Sequence, residues 1–134
     1  MNVVKLFRDW DAREEYKAGD VIFSEREPAE VMYVILEGEV DLTLQGAALG
    51  TEGQGGIIGE MAVIDAGTRS ATATAASEVK LARIDRDQFR KLVKKNPKFS
   101  LHAMTAFANR LRAVDRFISA RAEFQLLPDE PREK

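Results

Sequence analysis

Between Glu14 and Ala82 the apolar positions fall in short runs without helical spacing. The runs "DVIFS" (20–24), "VMYVILEGEVDLTL" (31–44), "GIIGEMAVI" (56–64) and "RSATATA" (69–75) are rich in β-branched and aromatic residues. Glu-Pro, Gln-Gly and a cluster of four glycines punctuate them, which predicts a small antiparallel barrel or sandwich. In "EVDLTL", Val40, Leu42 and Leu44 alternate with Asp41 and Thr43, the pattern of a strand with one wet face. Glu37-Gly38 interrupts the long run without breaking its apolar pattern. It reads as a hairpin or sharp corner, with a bulge in one bent strand as the alternative.

The period changes near residue 86. "DRDQFRKLVKK" is a helix capped by Asp85, with Phe89, Leu92 and Val93 on one face, and Asn96-Pro97 ends it. Pro97 suits the first turn of a longer helix in which Met104, Phe107, Leu111, Val114 and Ile118 recur at intervals of three and four. That seam packs on the strand body or takes a partner helix, and Ala103, Ala106, Ala113 and Phe117 widen it enough for a homodimer through the C-terminal helix. The tail from 123 to 134 is polar, holds two prolines and reads as disordered. The expected organisation is one domain over 1–122, with a strand-rich part at about 14–84 and helices at about 85–122.

Composition narrows the function. At 134 residues and 45% hydrophobic the chain buries a real core as one unit. A net charge of −2 gives no general attraction to nucleic acid or to an anionic membrane. No cysteine is present, so disulfides and thiolate metal sites are excluded, which is compatible with a reducing compartment. There is no secretory leader pattern and no apolar run of membrane-spanning length, so a cytoplasmic protein is expected. His102, the sole histidine, has no second ligand beside it and is expected to pack on the helix surface, with no metal site. Phe7 and Trp10 are expected to cover the end of the body, and the basic run "KLVKKNPK" to be a solvated face. No Ser/His/Asp or Cys/His set is present for nucleophilic catalysis, and Glu60 with Arg69 lacks a second carboxylate or a metal partner, so an enzyme is not expected.

The chemistry concentrates in "GEMAVIDAGTRSATATA", residues 59–75. Gly59 admits close backbone approach, and "EMAVI" is helix-compatible, so amides near Glu60, Met61 and Ala62 are placed to meet an anion. Arg69 adds a planar cationic fork and Ser70 a hydroxyl donor. Glu60 is no phosphate ligand but accepts well from a sugar hydroxyl. The plainer reading is an internal Glu60 to Arg69 ion pair beside an ordinary Ala/Thr strand.

"IIGEMAVIDAGTRSATATA" resembles the phosphate-binding cassette of the cyclic nucleotide-binding domains. "AGDVIF" and "EPAEVMYVILEGEV" resemble that family's early strands and glycine corner, and "IDRDQFRKLVKKNPKFSLHAMTAFANRLR" resembles the helices that follow, so the likeness runs from about Tyr16 to Phe117. It implies an antiparallel β-roll (jelly-roll-like barrel) with a short cassette helix and C-terminal helices, the last one long. It further implies that Arg69, Ser70 and the amides around Met61 and Ala62 hold a cyclic phosphate, that Glu60 accepts the ribose 2'-hydroxyl, and that Leu42, Leu49 and Ala71 line the pocket. Arg110 stands where some members carry an arginine near the cassette glutamate, either closing over the ligand or pairing with Glu60; a solvated helix charge is the other reading.

The chain departs from the family pattern at several places. Thr68 replaces the usual proline, Ile58 a common Phe, and Arg26 a turn glycine, while the hairpin in "TLQGAALGTEGQGG" is short. Val114 and Asp115 fall where catabolite activator-like regulators present hydroxyls to adenine. No helix-turn-helix follows the long helix, so DNA binding of that kind is not expected. The resemblance implies a regulatory module that binds a cyclic nucleotide, cAMP before cGMP on the strength of Ser70, and acts on an unidentified protein partner. The alternative is a domain that has lost its ligand and serves as a structural dimerisation module.

Overall fold

A computed structural model describes residues 2–63 and 67–126, and side chains as far as residue 122. The chain opens with a one-turn helix α1 (Val3–Leu6), followed by strands β1 (Arg13–Tyr16), β2 (Val21–Phe23), β3 (Pro28–Ala29) and β4 (Val31–Glu37). Next come β5 (Val40–Leu44), β6 (Ala47–Glu52), β7 (Ile57–Ile58) and a 3-10 turn at Glu60–Val63. Strands β8 (Gly67–Thr68), β9 (Thr72–Ala75) and β10 (Val79–Asp85) precede helices α2 (Arg86–Lys95) and α3 (Pro97–Leu126). Of the tail expected to be disordered, residues 123–126 continue helix α3, and the rest lies outside the described residues.

The strands form two four-stranded antiparallel sheets, ordered β1-β10-β4-β7 and β2-β9-β5-β6, with a small β3-β8 ribbon beside them. This is the expected jelly-roll-like arrangement, built as two facing sheets. The first sheet is covered on both faces, which explains why "VMYVIL" is apolar without interruption. Met32, Val34 and Leu36 point to one side, with Ala82, Ile84, Phe7, Leu92, Phe99 and Ala103. Val31, Tyr33 and Ile35 point to the other, with Leu81 and the second sheet's Val40, Leu42, Ala73 and Ala75. Strand β4 therefore separates a helix-covered core from a sheet-covered one, a three-layer packing of helices, sheet and sheet.

Glu37-Gly38 is a corner: β4 pairs with β10 and β7, whereas β5 pairs with β6 and β9, so the chain changes sheets there. Gly38 has φ +93°, and a Cβ on it would collide with the Glu78 carbonyl oxygen. The Asp85 cap is present and is reciprocal. Its side chain accepts from the Gln88 N–H while the Gln88 side chain accepts from the Asp85 N–H, both at 2.8 Å. Phe7 is fully buried, and half-buried Trp10 packs edge-on against it with centroids 5.0 Å apart.

On α3, Phe99, Ala103 and Ala113 face the body, and Arg110 lies buried with them. The apolar seam expected from the sequence points elsewhere: Met104, Leu111 and Ile118 are 53, 71 and 58% exposed, and only Phe107 and Val114 are half-buried.

Gly38→Ala combines left-handed backbone strain with a backbone collision, and is expected to cost about 2–4 kcal/mol of stability. Urea unfolding checks this, with Gly46→Ala, where a Cβ meets nothing within 4 Å, as the strain-only comparison.

Candidate functional site

The 3-10 turn, the segment joining β8 to β9 and Arg110 of α3 converge on one space. Phe23, Ala29, Leu42, Gly59, Glu60, Met61, Ala62, Thr68, Arg69, Ser70, Ala71 and Arg110 line it. Nine of the ten residues singled out in the sequence are thus brought together. Leu49 is not among them. It lies on β6 in a neighbouring hollow of about 450 Å³, opposite Ala113 and Phe117 of α3. Val114 is half-buried and Asp115 exposed.

The 3-10 turn begins directly after Gly59, whose φ of +70° redirects the chain. A Cβ on Gly59 would stand 2.5 Å from Arg69 Nη1, so the glycine also makes room for the arginine. The Ala62 N–H donates to the Gly59 carbonyl at 3.2 Å, closing the turn.

Arg69 follows β8 and is pinned by its backbone. Its N–H donates to the Glu27 carbonyl at 2.8 Å, and its carbonyl accepts from the Arg26 N–H at 2.9 Å. Arg26 itself has φ +72°, so the position that the family resemblance assigns to a turn glycine keeps a left-handed backbone here with an arginine on it. The Arg69 side chain is 7% exposed and turns inward. Nη1 donates to the Val31 carbonyl at 2.8 Å and to the Gly59 carbonyl at 3.4 Å, and the guanidinium lies over the Phe23 ring, 4.2 Å from its centroid. Phe23 is in turn stacked on Tyr33. Burial depresses the Arg69 pKa, and the nearby acidic groups offset that only in part.

Glu60 is 2% exposed. Its partner is Arg110, reached across fifty residues of sequence, in place of the internal Arg69 pair that the plainer reading of the sequence anticipated. Arg110 Nε donates to Glu60 Oε2 at 3.2 Å, Nη2 donates to the Ile57 carbonyl at 3.1 Å, and Nη1 lies 3.5 Å from Glu52 Oε2. Arg110 is therefore no solvated helix charge. Burial raises the Glu60 pKa above the ordinary carboxylate value, with Arg110 opposing. About two turns before Arg110 on α3, His102 Nε2 donates to the Gly55 carbonyl at 2.7 Å, so α3 holds the glycine-rich loop as well as the residues that flank it.

Two buried polar atoms around this space have no hydrogen-bond partner among the described residues: Glu60 Oε1, an acceptor, and Arg69 Nε, a donor. The cavity itself measures about 20 Å³, room for one water molecule and too little for a nucleotide. The residues that sequence reasoning missed are Phe23, which carries the arginine's plane, and Glu52, the second carboxylate on Arg110. "VIF" and "TEG" read as strand and turn, and nothing in their spacing discloses contacts made 46 and 58 residues away. Among the described residues no group of three or more His, Cys, Asp or Glu side chains is placed to hold a metal ion. No described helix is long and apolar enough to cross a membrane.

Comparison with known proteins gives a consistent picture. The sequence profile described as "Cyclic nucleotide-binding domain" matches residues 13–96. The "CRP-like cAMP-activated global transcriptional regulator" of Mycobacterium tuberculosis is 29% identical over 106 residues, covering 75% of this chain and 47% of that protein. The "cGMP-dependent protein kinase egl-4" of Caenorhabditis elegans is 33% identical over 79 residues, covering 59% and 10%. In structure, the catabolite activator protein of Thermus thermophilus superposes with a TM-score of 0.70 at 28% identity, covering 89% of this chain and 58% of that one. The chain spans about half the length of the mycobacterial regulator it matches.

Because burial raises the Glu60 pKa, the stability linked to its protonation is fully present below the ordinary carboxylate pKa of 4.5 and is lost as pH rises through the raised value. Glu60→Gln removes that contribution. In urea unfolding over a pH series, the wild type is expected to lose stability relative to Glu60→Gln as pH rises from 4.5 toward neutrality.

Proposed function

The chain belongs to the cyclic nucleotide-binding domain family, and on that premise we propose that it is a regulatory module whose effector is a 3',5'-cyclic purine nucleotide. The observation that carries this reading is the pair of unpartnered buried atoms, Arg69 Nε and Glu60 Oε1, at one cavity. A donor and an acceptor left dry cost free energy that a ligand with a phosphate oxygen and a neighbouring hydroxyl recovers. Arg69 and Ser70 take the phosphate, the Met61 and Ala62 turn lies beside it, and Glu60 takes the ribose hydroxyl, while Leu42 and Ala71 supply apolar wall. Arg110 keeps Glu60 oriented.

The base is cAMP's before cGMP's on the strength of Ser70. The hollow holding Leu49, next along α3 from Arg110 of the cavity, is the space available to it. The cavity has to widen to admit the ligand, which makes binding a conformational event of the 3-10 turn and α3. The exposed stripe of Met104, Leu111 and Ile118 supports a homodimer through α3, and the output is a contact with a partner protein, in the cytoplasm and without catalysis. The observation favouring a ligand-free structural module is the Glu60 to Arg110 pair, which satisfies one carboxylate oxygen internally.

Isothermal titration with cAMP and with cGMP, on the wild type and on Arg69→Ala, separates the two readings. Saturable binding is expected, and Arg69→Ala is expected to weaken it about 100-fold, the loss of two charge-assisted hydrogen bonds. Absence of heat with both nucleotides at millimolar concentration overturns the sensor reading, and equal binding by Arg69→Ala moves the site elsewhere.

A further inference from the structure

Charge is segregated along this chain in a way that its net value hides. Residues 1–85 hold 16 acidic and 8 basic side chains, whereas residues 86–126 hold 10 basic and 3 acidic. Six of those cations fall between Arg86 and Lys98, where α2 meets α3. Arg90 is paired with Asp87, but among the described residues Lys91, Lys94, Lys95 and Lys98 have no carboxylate within 4 Å.

Two of these lysines, Lys91 and Lys95, border a groove of about 380 Å³ between α2 and the segment leading into β1. Lys91 and Lys95, one turn apart, are exposed on the helix side, and Asp9 and Asp11 are exposed on the other. These opposite charges share the groove without meeting. Between them the lining is apolar: half-buried Trp10, fixed by donation of its indole N–H to the Arg83 carbonyl at 2.9 Å, and the buried Leu92. An apolar strip with a cationic edge and an anionic edge is complementary to an amphipathic peptide carrying the reverse polarity. A nucleic acid backbone or an anionic bilayer offers phosphates to both edges and meets repulsion at Asp9 and Asp11.

We propose that this groove docks a peptide segment of a partner protein, with an apolar anchor on Trp10 and Leu92 and acidic residues on Lys91 and Lys95. The proposal rests on the protein-mediated output described above and supplies its surface and the partner's chemistry. The location suits an output, because α2 packs against the 3-10 turn as well as against α3, so widening of the cavity displaces the helix that carries both lysines.

The test is panning of a random peptide library of about 16 residues against the full chain without nucleotide, followed by binding of the selected peptides made synthetically. The expected consensus is an aliphatic or aromatic residue with Glu or Asp on one side and Lys or Arg on the other. Emission from Trp10, the sole tryptophan, is expected to shift on binding. K91E/K95E is expected to weaken binding at least tenfold, and Lys in place of the peptide's acidic residues to restore it. The milder K91Q/K95Q serves if charge reversal impairs folding. The proposal is overturned if no peptide is enriched, if selected peptides lack acidic residues or bind the variants equally well, or if phosphatidylserine vesicles or duplex DNA bind at least as tightly. Nucleotide titration of the same variants keeps the readings apart: a failed groove leaves nucleotide binding intact, and a failed sensor leaves the peptide result standing.

Discussion

A carboxylate that is 2% exposed needs a cation beside it, and for Glu60 that cation comes from the middle of a helix fifty residues away. The Glu60 to Arg110 contact is the constraint on which the geometry of the helical part depends. Burying two charges is costly, and the pair persists only where further hydrogen bonds satisfy the remaining donors. Arg110 meets that condition through the Ile57 carbonyl and Glu52. Helix α3 is therefore held at one height along the body by polar contacts, while Phe99 and Ala103 supply the apolar contacts that fix its distance.

The sheet layering makes this polar island possible. With β4 buried on both faces, its side chains fill two dry cores, and the 3-10 turn after β7 brings Glu60 against that packing. Arg69 enters the same region from β8 and is accommodated by two backbone carbonyls and by the Phe23 face, which stabilises a desolvated guanidinium more than a water-exposed one. Both arginines are thus inside because backbone carbonyls, Ile57 for one and Val31 and Gly59 for the other, are turned toward them.

Much of this was legible in the chain. Turn residues marked the strands, Asp85 marked the start of α2, and the small-residue run after Arg69 marked the cavity wall, because these features depend on local backbone chemistry. The sequence leaves the partner of Glu60 open between Arg69 and Arg110, and only the path of α3 decides between them. Which of its two readings the seam on α3 takes was left open for a related reason. Helical period identifies an apolar face, and α3 has two, one of small residues around Ala103 and Ala113 and one of larger residues around Met104 and Leu111. The body takes the face with alanines because Arg110 must also fit beneath the helix. The uninterrupted "VMYVIL" likewise carried no sign of which residue belonged to which core, since both faces are apolar.

On the proposed reading, the two oxygens of Glu60 have different fates. Arg110 holds Oε2, while Oε1 has no partner, so a ligand hydroxyl adds to the ion pair without displacing it. Arg69 is the group that has to move, because its Nη1 is already spent on the Val31 and Gly59 carbonyls. The work of opening therefore falls on the 3-10 turn and Arg69, whose hydrogen bonds to two carbonyls are exchanged for stronger ones to a phosphate. Helix α3 stays tethered through Arg110 and follows the turn as it shifts. An effector with a phosphate but no neighbouring hydroxyl would exchange the Arg69 contacts and leave Oε1 dry, and would shift the population less than one that satisfies both atoms.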